Sequence, residues 1–96
     1  MNIGIFDSGL GGLLITKSLI KKLPQYNYIY LGDTKRVPYG NRSADTIYEF
    51  LKESVEYLFA QDCKLIIVAC NTASAQALRR IHQELLPQKY PDRRVL

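Results

Sequence analysis

Residues 64–69 read Lys-Leu-Ile-Ile-Val-Ala, and after the lysine no polar side chain interrupts them. A strand open to water on one face alternates polar with apolar, so an unbroken run is expected of a strand buried on both faces. Strands of that kind belong to parallel sheets, whose crossover helices cover both sides. The rest of the chain then has to supply other strands with helices between them.

It does. Residues 2–6, Asn-Ile-Gly-Ile-Phe, form a short apolar strand, and Asp-Ser-Gly-Leu-Gly-Gly makes a turn after it. A helix carries Leu13, Leu14, Thr16, Lys17 and residues 19–23, and stops before Pro24. Residues 26–31, Tyr-Asn-Tyr-Ile-Tyr-Leu, are rich in aromatic and β-branched side chains and read as a second strand. Pro38 and Gly40 exclude regular structure from the loop that follows. Ser43 then caps a second helix with Asp45 in its first turn. Its inward face is Ile47, Phe50, Leu51, Val55 and Leu58, with Glu49, Lys52, Glu53 and Glu56 outward. Residues 73–86 form a third helix with Ala77, Leu78, Ile81 and Leu85 inward, and Pro87 is expected to end it.

The order β-α-β-α-β-α defines the fold class as α/β: a parallel sheet of three to four strands flanked by helices, joined by right-handed crossovers. The closing Arg-Arg-Val-Leu reads as the start of a fourth strand that is cut short. Residues 1–96 are thus expected to be a single α/β domain, truncated. A sheet without its closing strands leaves an exposed edge and an apolar face, so self-association is expected.

Composition narrows the class of function. The hydrophobic share of 47% and charged share of 23% are those of a soluble globular chain. The longest apolar run is far too short to span a bilayer, and the N-terminus lacks a basic leader, so the expectation is a cytoplasmic protein without membrane contact. The net charge of +4 comes from scattered lysines and the pairs Arg79-Arg80 and Arg93-Arg94. No aromatic-interleaved basic stripe accompanies them, so nucleic acid is not an expected partner, and the arginines read as a solvated helix face and tail. Cys63 and Cys70 sit at opposite ends of one strand, about 23 Å apart, which excludes a bond between them. The lone histidine, His82, reads as surface, and neither a serine–histidine triad nor a zinc site is available.

In open parallel sheets the carboxyl ends of the strands share one edge, where ligands bind. Each strand here leads into polar residues at that edge: Asp7-Ser8 after the first, residues 32–40 after the second, and Cys70-Asn71-Thr72 after the third. Cys70 stands at a helix entry, where free N–H groups and the helix dipole favour a thiolate. The same amides, with Asn71 and Thr72, suit a substrate carboxylate. Asp7 and Ser8 can orient or deprotonate a polar neighbour. The residues alone leave the plainer alternatives open: Cys70 as a small buried hydrophobe, Thr72 as a helix cap, Asp7 as a turn residue bonding its own backbone. A dinucleotide fingerprint is broken, since Leu14 stands where the third glycine belongs.

Three segments, Gly-Ile-Phe-Asp-Ser-Gly-Leu-Gly-Gly-Leu, Tyr-Leu-Gly-Asp-Thr-Lys-Arg-Val-Pro-Tyr-Gly and Ala-Cys-Asn-Thr-Ala-Ser-Ala, closely resemble the N-terminal motifs of the glutamate racemases. Their order and spacing match over essentially all 96 residues. The resemblance implies the N-terminal half of a two-domain α/β fold and a cofactor-independent isomerase that interconverts L- and D-glutamate for peptidoglycan precursor synthesis, cell-wall organisation and cell shape. It implies that Cys70 is one of two catalytic thiols, the one that takes the α-proton from D-glutamate, with Asp7 assisting its proton transfers. Ser8, Tyr39, Gly40, Asn71 and Thr72 would bind the charged groups of glutamate, and Pro38 would shape that wall. No cofactor and no metal is implied. The second thiol of the family lies in a Cys-Thr-His segment of the other domain, which residues 1–96 do not contain. The 96-residue chain alone is therefore expected to be inactive, and a second class of function stands beside the racemase: a truncated module that binds a partner or a carboxylate without turnover.

Overall fold

The computed structural model describes residues 1–7, 12–32, 43–69 and 76–96. Four parallel strands make one sheet: β1 (Asn2–Asp7), β2 (Asn27–Gly32), β3 (Cys63–Val68) and β4 (Arg94–Val95), in the order β2-β1-β3-β4. Between them run α1 (Gly12–Lys22), α2 (Ala44–Ala60) and a third helical stretch. That stretch consists of α3 (Gln76–Arg80), a π-helical turn (Ile81–Leu85) and α4 (Leu86–Lys89). The α/β class and the parallel sheet follow the expectation, and the last residues do form a fourth strand.

The two faces of the sheet are covered unequally. Phe6, Ile66, Leu51, Val55, Leu58, Ile81 and Leu85 belong to one buried cluster, which seals the face under α2 and the π-helical turn. Ile29 and Leu31 pack against the same cluster, so Tyr28 and Tyr30, which alternate with them, look toward the other face. There Tyr28 donates its hydroxyl proton to the carbonyls of Leu23 (2.7 Å) and Leu19 (3.3 Å), fastening the last turn of α1 to the sheet. The outer side of α1 is apolar and open, with Leu14 75% exposed and Ile15, Ile20 and Leu23 also in water.

The strand buried on both faces is β1, where every residue from Ile3 to Asp7 is inaccessible. β3 was expected to have that burial and has it on one side only: Leu65 and Ile67 are half-covered and Lys64 is exposed. The cause is local. The register pairs Asn2 with Cys63 but Ile3 with Leu65, so Lys64 is an extra residue in the ladder. The bulge turns Cys63 and Ile66 to the same side, both fully buried. Gly4 makes room for them: a Cβ there would stand 3.2 Å from both Cys63 Sγ and Leu58 Cδ1 and 3.3 Å from Ile66 Cγ1.

Two further expectations are corrected. Pro87 does not stop the third helical stretch, which runs on to Lys89. A proline ring collides with the carbonyl four residues back, here Gln83, but that residue lies in the π-helical turn, where Leu86 N–H bonds Ile81 five residues back and the carbonyls are spaced more widely. Nor are the arginines simply a solvated face and tail. Arg80 lies over the Tyr48 ring at 3.8 Å while bonding Asp45 and Glu84, each at 3.0 Å. Arg93 donates to the carbonyl of Cys63 and lies over Phe59, tying the approach of β4 to the start of β3. Ser43 caps α2 as expected, its hydroxyl accepting from Thr46 N–H at 3.2 Å. Among the described residues no helix is long and apolar enough to cross a membrane.

Because its three nearest neighbours are all in the sealed core, Gly4→Ala should destabilise the chain by about 1–3 kcal/mol through overpacking. Urea denaturation checks this, and an unchanged midpoint would show that the core can give way.

Candidate active site

Parallel pairing carries three strand ends to one edge. Asp7, last in β1, pairs with Gly32, last in β2. On the other side Phe6 pairs with Val68, and Ala69 N–H donates to the Phe6 carbonyl at 2.8 Å. The residue before Cys70 in sequence is therefore bonded to the residue before Asp7. Of the expected site residues, Asp7 is described. Ser8, Pro38, Tyr39, Gly40, Cys70, Asn71 and Thr72 lie outside the described residues.

Asp7 is wholly inaccessible to solvent. A carboxylate so placed requires donors, because burying a charge without them is very costly. Tyr30 supplies one: its hydroxyl donates to Asp7 Oδ2 at 2.7 Å. Tyr30 pairs in the ladder with Ile5, two residues before Asp7, so both side chains occupy the α1 face and the phenol reaches diagonally along it. Burial first, then the bond to Asp7 and its charge, push the Tyr30 phenol up to about 12. Asp7 is thus a buried carboxylate at a strand end, bonded across strands, rather than a turn residue serving its own backbone alone.

Tyr30 is the site residue that sequence reading passes over. A tyrosine in an aromatic strand looks like packing, and only the alternation of Tyr26, Tyr28 and Tyr30 hints that their hydroxyls share a face. Cys63 behaves as a structural thiol: it is fully buried, and burial pushes it above its ordinary value against the lowering charge of Arg93. His82, read as surface, is indeed exposed, yet its Nε2 meets the carbonyl of Val95 at 2.6 Å, so it also braces β4. Among the described residues no group of three or more histidine, cysteine or acidic side chains is placed to hold a metal.

Asp7 and the chain leading to Cys70 thus reach the same carboxyl edge of a parallel α/β sheet. The chain is 49% identical over its full length to the glutamate racemase of Roseobacter denitrificans, covering 35% of that protein. The glutamate racemase structure from Aquifex pyrophilus superposes with a TM-score of 0.82 at 50% identity, over 88% of this chain and 33% of that one. The Escherichia coli glutamate racemase, solved in complex with L-glutamate and the activator UDP-MurNAc-ala, gives a TM-score of 0.84 at 32% identity, over 99% of this chain and 34% of that one. No family model matches the chain. The chain is thus similar to glutamate racemases over most or all of its length and spans about a third of the length of the relatives it matches.

A hydrogen bond to a buried carboxylate is worth about 1.5–3 kcal/mol, so Tyr30→Phe should lower stability by that amount at neutral pH. The phenol titrates higher in the folded chain, at about 12, than its ordinary value of 10.0. Its contribution is complete below the ordinary value and is lost as pH rises through the folded one. The gap between wild type and variant, followed by chemical denaturation, should accordingly narrow between pH 10 and 12. A gap constant across that window would mean that the phenol is not the donor.

Proposed function

We propose that this chain carries one half of the active site of a glutamate racemase, with Cys70 as one of its two proton-transferring thiols and Asp7 as the carboxylate that assists it. The supporting observation is the backbone bond from Ala69 to Phe6, which joins the strand leading to Cys70 to the strand ending in Asp7. Homologues at 49–50% identity carry the name of that activity. Glutamate is the small-molecule substrate in this reading, as in the relatives solved with D-glutamate and with L-glutamate.

The chemistry asks much of such a site. Removing the α-proton of an amino acid without an electron-accepting cofactor leaves a carbanion that fixed charges and donors must stabilise. Inversion further requires a base on one face of the α-carbon and an acid on the other. Cys70, following the third strand, would serve one face, and Ser8, Tyr39, Gly40, Asn71 and Thr72 would hold the ammonium and carboxylates, with Pro38 shaping the wall. A buried, hydrogen-bonded carboxylate at Asp7 offers a proton acceptor whose orientation is fixed before substrate arrives. The opposite face needs a second thiol that residues 1–96 do not supply, Cys63 being sealed in the core. The setting that follows is cytoplasmic supply of D-glutamate for peptidoglycan, and through it for cell-wall organisation and cell shape.

A protein of full racemase length carrying these residues should interconvert D- and L-glutamate, followed by circular dichroism, and should relieve D-glutamate auxotrophy in a bacterium. Replacing Cys70 by Ala should cut turnover by about 10²–10⁴-fold, the usual cost of losing a positioned proton-transfer group. Residues 1–96 alone should cause no measurable change in dichroism with either enantiomer. Near-normal rates in Cys70→Ala, or racemisation by the 96-residue chain, would overturn the two-thiol reading.

A further inference from the structure

We infer that Tyr30 is a positioning residue for Asp7, and that Gly32 is kept without a side chain so that the phenol can cross to it. The inference rests on the racemase reading of Asp7 and adds a residue to it. Asp7 pairs in the ladder with Gly32, and Tyr30 stands two residues before that glycine on the same face. A Cβ on Gly32 would lie 3.2 Å from Tyr30 Cε1 and 3.5 Å from its hydroxyl oxygen. The ring therefore lies across the space that any other residue at position 32 would begin to fill. From there the hydroxyl meets Asp7 Oδ2 at 2.7 Å.

The neighbouring tyrosine makes the point by contrast. Tyr28, on the same face, uses its hydroxyl on the backbone carbonyls of Leu23 and Leu19 and so serves the packing of α1. Tyr30 directs its hydroxyl to an ionisable side chain at the sheet's carboxyl edge. An aspartate has two side-chain torsions, and a donor held on a rigid strand removes the freedom of the carboxylate to swing about both. With Oδ2 held, the carboxylate as a whole is restrained, because its two oxygens share one rigid plane. The phenol keeps its proton throughout the neutral range, since it loses it only near pH 12. It is a constant donor and takes no part in the proton traffic itself.

The test is a kinetic cycle in the racemase-length protein, with D- and L-glutamate followed by circular dichroism. Variants are Tyr30→Phe, Gly32→Ala, Asp7→Asn and the double variant Tyr30→Phe/Asp7→Asn, with thermal unfolding recorded for each. Tyr30→Phe should lower kcat by roughly 10-fold while KM stays within about 2-fold, because a misaimed carboxylate harms the transition state more than it weakens binding. Gly32→Ala, which retains the phenol, should lower kcat in the same direction. In the Asp7→Asn background Tyr30→Phe should cost less than about 2-fold, since its effect is routed through the carboxylate. A merely structural tyrosine would give the same loss in both backgrounds. That additive result, an unchanged kcat, or a rise in KM alone in an active wild type would overturn the inference and leave the racemase reading standing. Should Tyr30→Phe fail to fold, a normal kcat in Gly32→Ala overturns the inference and a lowered one supports it. An inactive wild type would overturn both.

Discussion

The parallel pairing of β1 on both edges is the constraint from which the rest of the described structure follows. β1 lies between β2 and β3, takes helices on both faces, and is inaccessible from Ile3 to Asp7. A strand so enclosed tolerates no misplaced side chain, which is why Gly4 sits where Cys63, Leu58 and Ile66 converge. Because neighbouring strands run the same way, their carboxyl ends emerge together: Asp7 pairs with Gly32, and Phe6 just before it pairs with Val68. The candidate site is a consequence of strand direction before it is a consequence of any one side chain.

A charged residue at the end of the most enclosed strand raises an energetic problem. Asp7 has lost its water entirely, and an unsupported buried carboxylate would cost more than a domain of this size can spare. The Tyr30 phenol offsets part of that cost with a hydrogen bond to the charged group, which is stronger than one between neutral partners. At the opposite end of the sheet Arg93 meets the Cys63 carbonyl and the face of Phe59. The two ends thus use their charges differently. Arg93 ties the fourth strand to the core, whereas Asp7 is held in one orientation at the edge where ligands bind in folds of this type.

Likeness to the glutamate racemases extends over the whole chain, in sequence and in fold, but over only a third of those proteins.

Much of this was legible from residue order alone. The alternation of short apolar strands with amphipathic helices specified a parallel α/β sheet, Ser43 announced the start of α2, and the closing Arg-Arg-Val-Leu announced β4. Those signals are local: periodicity, a cap and a β-branched run each act within a few residues. What could not be read were features that depend on register. The extra residue at Lys64, which turns Cys63 and Ile66 to one side, follows from how β3 packs beside β1. The course of the third helical stretch through Pro87 depends on a π-helical turn that widens the carbonyl spacing just before it. Arg93 looked like a free tail until β4 took its place. The bond from Tyr30 to Asp7 joins residues 23 apart in the chain and exists only because β1 and β2 pair with Ile5 opposite Tyr30 and Asp7 opposite Gly32. The sequence by itself determined which segments become strands and helices and which residues carry reactive groups, since these are short-range properties. The tertiary structure decided which of those groups meet, because a shift of one residue in pairing would turn Tyr30 to the other face and leave Asp7 without its phenol.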